Sequence, residues 1–218
     1  MHVKGSSHRL GARMAVLSTV VGAGLIVAAT AAPAIAAPTP GSASGATTIT
    51  LGGKAYNTLQ SSGCGTLVAT GVNGVSVTVG PQGLKLIFPI SGIATQDGNP
   101  VAIRIDHSGS LTLENTCYSI NFAALRVTNF GLPDQGTSFD INAVFKSADD
   151  AGRQVLGTLD LTGANVTVSG SKVRIAQRSM LTSGPSAEEL NELAVGADTG
   201  PFVEGQKIGS AKTRVVFG

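Results

Sequence analysis

The chain has 218 residues, of which 42% are hydrophobic and only 13% charged, with a formal net charge of +2 at pH 7. It contains two cysteines, three histidines, two tyrosines and no tryptophan. Such a length supports one domain with a proper core, while so few histidines and cysteines argue against a zinc site built from protein ligands.

Lys4, Arg9 and Arg13 stand at the N-terminus with no acidic residue beside them. An apolar run of Ala, Val, Leu, Ile and Gly follows over residues 14–32, and Pro33-Ala34-Ile35-Ala36 then presents small residues at 34 and 36. This is the A-x-A pattern that signal peptidase reads, with a helix-breaking proline just ahead of it. Residues 1–36 are therefore expected to be a Sec-type signal peptide, cleaved after Ala36, and the product to be secreted or cell-wall associated. No cysteine near the cleavage site supports a lipid anchor. Arg9 and Arg13 are separated, so a twin-arginine signal is not supported, and no transmembrane anchor is expected after cleavage. Cleavage removes three basic residues and no acidic one, which leaves a mature net charge of about −1. No basic run remains in the mature sequence, so nucleic acid is not expected as a partner.

Residues 37–46, Ala-Pro-Thr-Pro-Gly-Ser-Ala-Ser-Gly-Ala, have no apolar period and read as a disordered linker. From residue 47 to the end the chain reads as one β-rich domain. Short alternating runs appear at 47–51, 66–70, 75–79, 84–90, 101–105, 110–114, 118–122, 125–130, 138–146, 154–161, 165–169, 172–176 and 213–217. Turn signals separate them, such as Val72-Asn73-Gly74, Asp97-Gly98-Asn99-Pro100, Ser108-Gly109 and Asp149-Asp150-Ala151-Gly152. Many short strands with closely spaced turns predict a mainly β fold, an antiparallel β-sandwich or barrel-like domain. Two segments break the alternation. Ser186-Ala187-Glu188-Glu189 has capping-box spacing, follows Pro185 and precedes Gly196, which predicts a short helix over 186–195. A second short helix is expected over 53–61, with Gly63 as its stop. Both are expected to plug open ends of the sheet.

Cys64 and Cys117 both fall in the exported part, where the compartment is oxidising, and read as one disulfide. His107 is the single histidine of the mature chain. Asp106 precedes it, but strand neighbours point to opposite faces, so the two are badly placed for a catalytic relay. The chain has no G-x-S-x-G elbow, no Walker loop and no C-x-x-C pair. Asp149-Asp150 reads as a solvated turn rather than a calcium loop, because alternating oxygen ligands are missing. An enzyme is not expected.

Ile90-Ser91-Gly92-Ile93 followed by Ile105-Asp106-His107-Ser108-Gly109-Ser110-Leu111 resembles the "F-x-G-x-V … H-x-G-x-L" stretch of HtaA-type domains. Ala124–Phe130 and Phe139–Ala143 resemble the next two strands of those domains. Met180-Leu181-Thr182, Leu190-Asn191 and Phe202 to Gly209 resemble their closing segment. The likeness covers nearly the whole mature chain and extends to secreted actinobacterial proteins of the same layout. It implies a β-rich exported domain, and in characterised members that domain binds haem during cell-envelope haem uptake. There a tyrosine binds the iron and the histidine of the "H-x-G" stretch supports it. Carried onto this sequence, the resemblance makes His107 the histidine and Tyr56 the tyrosine, although the aromatic residues that precede that tyrosine in the family are missing here. Tyr118, beside Cys117, reads as structural. The sequence thus supports a secreted non-enzymatic envelope protein, structural, adhesive or an interaction module, with haem binding through Tyr56 and His107 as the alternative.

Overall fold

A computed structural model describes residues 41–96, 99–129, 138–146, 151–160, 166–169 and 171–217. The expected signal peptide and the Asp149-Asp150 turn lie outside the described residues.

Among the described residues, twelve strands and two helices follow one another. They are β1 (Gly41–Gly52), α1 (Gly53–Gln60), β2 (Val68–Val72), β3 (Ser76–Gly80), β4 (Gly83–Gln96), β5 (Asn99–His107) and β6 (Ser110–Glu114). Then come β7 (Ser119–Thr128), β8 (Ser138–Lys146), β9 (Ala151–Asp160), β10 (Val166–Ser169), β11 (Lys172–Thr182), α2 (Gly184–Val195) and β12 (Lys207–Phe217). The strands pair antiparallel in the order β7–β5–β4–β1–β12–β11–β9–β8, and β8 pairs again with β7. The sheet therefore closes on itself as a barrel, which removes the free edges of that ring. β2 extends it through β6, while β3 and β10 attach to β4 and β11.

Alternation drives the closure. Thr47, Ile49 and Leu51 of β1 point inward, as do Val173 and Ile175 of β11 and Ala211, Thr213 and Val215 of β12. The intervening residues face solvent, as the two-residue period of a strand requires. Fully buried Phe139, Leu84, Ile103, Ile105, Ile120 and Ile141 fill the interior.

Three sequence expectations need correction. The stretch read as a linker is structured from Gly41 onward: Ala43 pairs with Phe217 and Gly41 with Ile93. Gly45 permits this, with φ at +127° and the Arg214 carbonyl 2.1 Å from where a Cβ would sit. Composition suggested disorder because small residues here serve a bulge rather than a core. Second, the N-cap of α2 is Ser183, not Ser186. The Ser183 hydroxyl accepts from the Ser186 amide at 3.2 Å, and the Ser183 amide donates to the Ser186 hydroxyl at 3.0 Å. Pro185 fits the first turn, where its missing N–H leaves no bond unmade. Third, the runs at 118–122 and 125–130 are one strand, β7, interrupted by a bulge at Ala124, whose φ is +47°.

Both helices cap the same end of the barrel. α1 continues from β1 where Leu51 meets Gly209, and α2 continues from β11 where Leu181 meets Lys207. They therefore plug one end, not two.

Candidate functional site

His107 ends β5 with its side chain inside the barrel, 5% exposed. Its Nδ1 lies 3.0 Å from the Leu125 carbonyl oxygen, and its Nε2 lies 2.7 Å from Thr47 Oγ1. A carbonyl can only accept, so Nδ1 carries the proton and donates. Nε2 is then an acceptor, and the Thr47 hydroxyl donates to it. Thr47 in turn accepts from Thr213, Oγ1 to Oγ1 at 2.7 Å. Both threonines are completely buried. The partners thus fix one neutral tautomer in a chain from β12 through β1 and β5 to β7. Burial lowers the His107 pKa to about 4, against smaller raising effects from the Leu125 carbonyl and from Asp106.

The bulge in β7 makes this arrangement available. The β7–β8 register breaks between Ala123 and Arg126. The Leu125 carbonyl serves the imidazole, and the neighbouring Ala124 carbonyl accepts from Arg153 Nη1 at 3.0 Å. Asp106 faces the other way from His107. It accepts from Arg104 Nε at 3.1 Å and from Arg126 Nε at 2.8 Å on the outer surface. Sequence neighbours Asp106 and His107 thus occupy separate environments, and no relay joins them.

Tyr56 sits on α1, half-buried against the core. Its hydroxyl accepts from Gln60 Nε2 at 2.8 Å, and the same amide donates to the Leu67 carbonyl at 3.2 Å. Among the described residues, no hydrogen bond joins Tyr56 to His107, because each is held by its own partners. Tyr118 packs against the core from the β6–β7 turn.

Beneath the helices lies a cavity of about 80 Å³ with an almost wholly apolar wall. Phe88, Leu111, Leu113 and Phe122 line one side, and Leu190 and Leu193 of α2 close the other. Neither Tyr56 nor His107 lines it. Pockets that enclose drug-sized ligands run to about 300 Å³ or more. This cavity is therefore too small to enclose a haem, and neither donor is brought to it. Among the described residues, no three His, Cys, Asp or Glu side chains gather as a metal site.

The helical end is tied down covalently. Cys64, just after α1, is bonded to Cys117 in the β6–β7 turn, with the Cα atoms 5.2 Å apart. Thr116 donates to the Cys64 carbonyl through both its amide (3.0 Å) and its hydroxyl (2.7 Å). Asn115 Nδ2 donates to the Leu193 carbonyl in the last turn of α2. Gly196, the left-handed C-cap of α2, lies against Cys117.

No family model matches the chain, and no curated protein matches it either. Solved structures do. The C-terminal domain of HtaA from Corynebacterium glutamicum superposes with a TM-score of 0.61 at 18% identity, covering 83% of this chain and all of that one. The fold is HtaA-like. HtaB from the same organism, described as a heme binding protein, gives a TM-score of 0.51 at 14% identity over 84% of this chain and 96% of its own. A domain-swapped dimer of a histidine-to-alanine variant of the HtaA domain also matches, with a TM-score of 0.51 at 17% identity over 70% of this chain and 84% of its own. The resemblance drawn from motifs thus holds at the level of the HtaA-like fold.

Thr47 and Thr213 belong to none of the sequence motifs. A signal for them exists: each is a polar residue at an inward position of an alternating strand.

Proposed function

We propose that this chain is an exported, non-enzymatic β-barrel domain that works at the cell envelope as a structural or interaction module. One observation carries the reading. The single histidine of the mature sequence is buried, neutral, and bonded at both ring nitrogens to the barrel's own strands. It therefore has no free nitrogen for a substrate proton, a metal or a phenolate. The test is a hemin titration of the purified mature protein. Under this reading the Soret band of free hemin is neither sharpened nor shifted.

The second reading is haem capture, supported by likeness to a fold that includes a heme binding protein. In that reading Tyr56 is the iron ligand and His107 its supporting group. Hemin binding that is lost in Tyr56→Phe and weakened in His107→Ala would replace the first reading with the second.

A further inference from the structure

The charges of the barrel are segregated. Strands β1, β3, β4, β10, β11 and β12 carry Lys85, Lys172, Arg174, Arg178, Lys207, Lys212 and Arg214, and no acidic residue. Carboxylates lie elsewhere, with Glu188, Glu189 and Glu192 on α2 and Asp106, Asp140 and Asp160 on β5, β8 and β9. For a mature chain near neutrality, this is a strong asymmetry.

The register gathers these cations on one outer face. Arg174 stands directly opposite Arg214 across β11 and β12. Lys212, two residues before Arg214, pairs with Thr48 of β1, and Thr50 of β1 pairs with Lys85 of β4. Lys85, Lys172, Arg174, Lys212 and Arg214 are all exposed, while their strand neighbours Val173, Ala211, Thr213, Val215 and Leu84 are buried. Among the described residues, none of these five cations has an ion-pair partner; the described ion pairs are those of Asp106. Like charges placed opposite one another destabilise a sheet, so folding alone gives no reason for the Arg174–Arg214 pair.

A shallow hollow crosses this face, lined by Thr48, Thr50, Lys85, Gln177, Ser210 and Lys212. Gln177 Nε2 donates to Ser210 Oγ at 3.0 Å, which adds an amide and a hydroxyl to the lining shared with the two lysines. We propose that this face binds an acidic polysaccharide, a sugar polymer bearing carboxylate or phosphate groups. The cations meet the acidic groups, and the hydroxyls and amide meet sugar hydroxyls. None of the exposed large apolar side chains described is aromatic; all are valines. A face without exposed aromatics offers no platform for stacking bases, which disfavours single-stranded nucleic acid. The inference gives the proposed interaction module a partner and rests on that reading, while its test is independent of the hemin titration.

The test is equilibrium binding of the mature protein to polygalacturonate, with single-stranded DNA and phosphatidylglycerol vesicles as competing probes. The expected result is saturable binding to polygalacturonate that falls at least tenfold between about 50 and 200 mM salt, as phosphate-like polyanion contacts do. Arg174→Ser with Arg214→Ser weakens it at least tenfold and leaves the melting temperature unchanged or raised. Lys85→Ser with Lys212→Ser acts in the same direction, and serves should the arginine variant fail to fold. Arg153→Gln, on β9, leaves binding unchanged. No binding, equal loss with Arg153→Gln, or tighter binding to DNA or vesicles than to polygalacturonate overturns the proposal.

Discussion

Thr47 and His107, sixty residues apart in the chain, share a 2.7 Å hydrogen bond inside the barrel. Thr47 pairs with Phe88 of β4 and His107 with Ile90 of the same strand, so the bond spans β4 from its two sides. With Thr213 on β12 and Leu125 on β7 at the ends, the chain of bonds staples strands that closure alone would leave joined only by their ladders.

Removing the Thr47 hydroxyl leaves His107 Nε2 buried without a donor. Thr47→Val is nearly isosteric, so the loss is the unsatisfied His107 acceptor together with the Thr213 hydroxyl left without its acceptor, about 1–3 kcal/mol for each group. Chemical denaturation should show this as a lower midpoint with an unchanged m-value.

Acid should weaken the fold through the same residue. The folded-state pKa of His107, about 4, lies below its ordinary value of 6.5. The unfolded chain binds the proton more readily, so the contribution is fully present above pH 6.5 and is lost as pH falls toward 4. The shift corresponds to about 3 kcal/mol. Melting temperature against pH should fall through that window in the parent, and His107→Gln should flatten the fall.

The disulfide should matter to the helical cap. Cys64 and Cys117 close a loop with a sequence separation of 53, for which the chain-entropy relation gives about 4 kcal/mol. Thiol labelling of the native protein should be negligible before reduction. A Cys64→Ala, Cys117→Ala variant should melt well below the parent.

Gly45 tests whether residues 41–46 are a strand or a tether. Gly45→Ala places a Cβ against the Arg214 carbonyl at a backbone angle that L-residues rarely adopt. We expect a loss of about 1–3 kcal/mol, and a similar direction of effect from truncation to Thr47. Unchanged melting in both would return the segment to the status of a linker.

Much of the barrel was legible because alternation is a local signal. The runs at 110–114 and 138–146 coincide with β6 and β8, the run at 84–90 covers the first half of β4, and their inward residues form the core. Strand ends were less legible. β11 continues to Thr182 through an irregularity between Ile175 and Arg178, which breaks the period that sequence reading follows. The site was less legible still. His107 could be named from the sequence, but its partners Thr47, Leu125 and Thr213 come from three other strands, and only the register brings them together. The same holds for the basic face: Lys85, Arg174 and Arg214 are far apart in the chain, so no basic run announced them.

The central claim is that His107 is a locked structural group rather than an available ligand, and long-range nitrogen–proton NMR of its imidazole tests this most directly. We predict a single neutral tautomer protonated at Nδ1 from pH 5.5 to 8, the same with and without hemin. Titration near the ordinary value of 6.5, protonation at Nε2, or a hemin-dependent change in either ring nitrogen would contradict it.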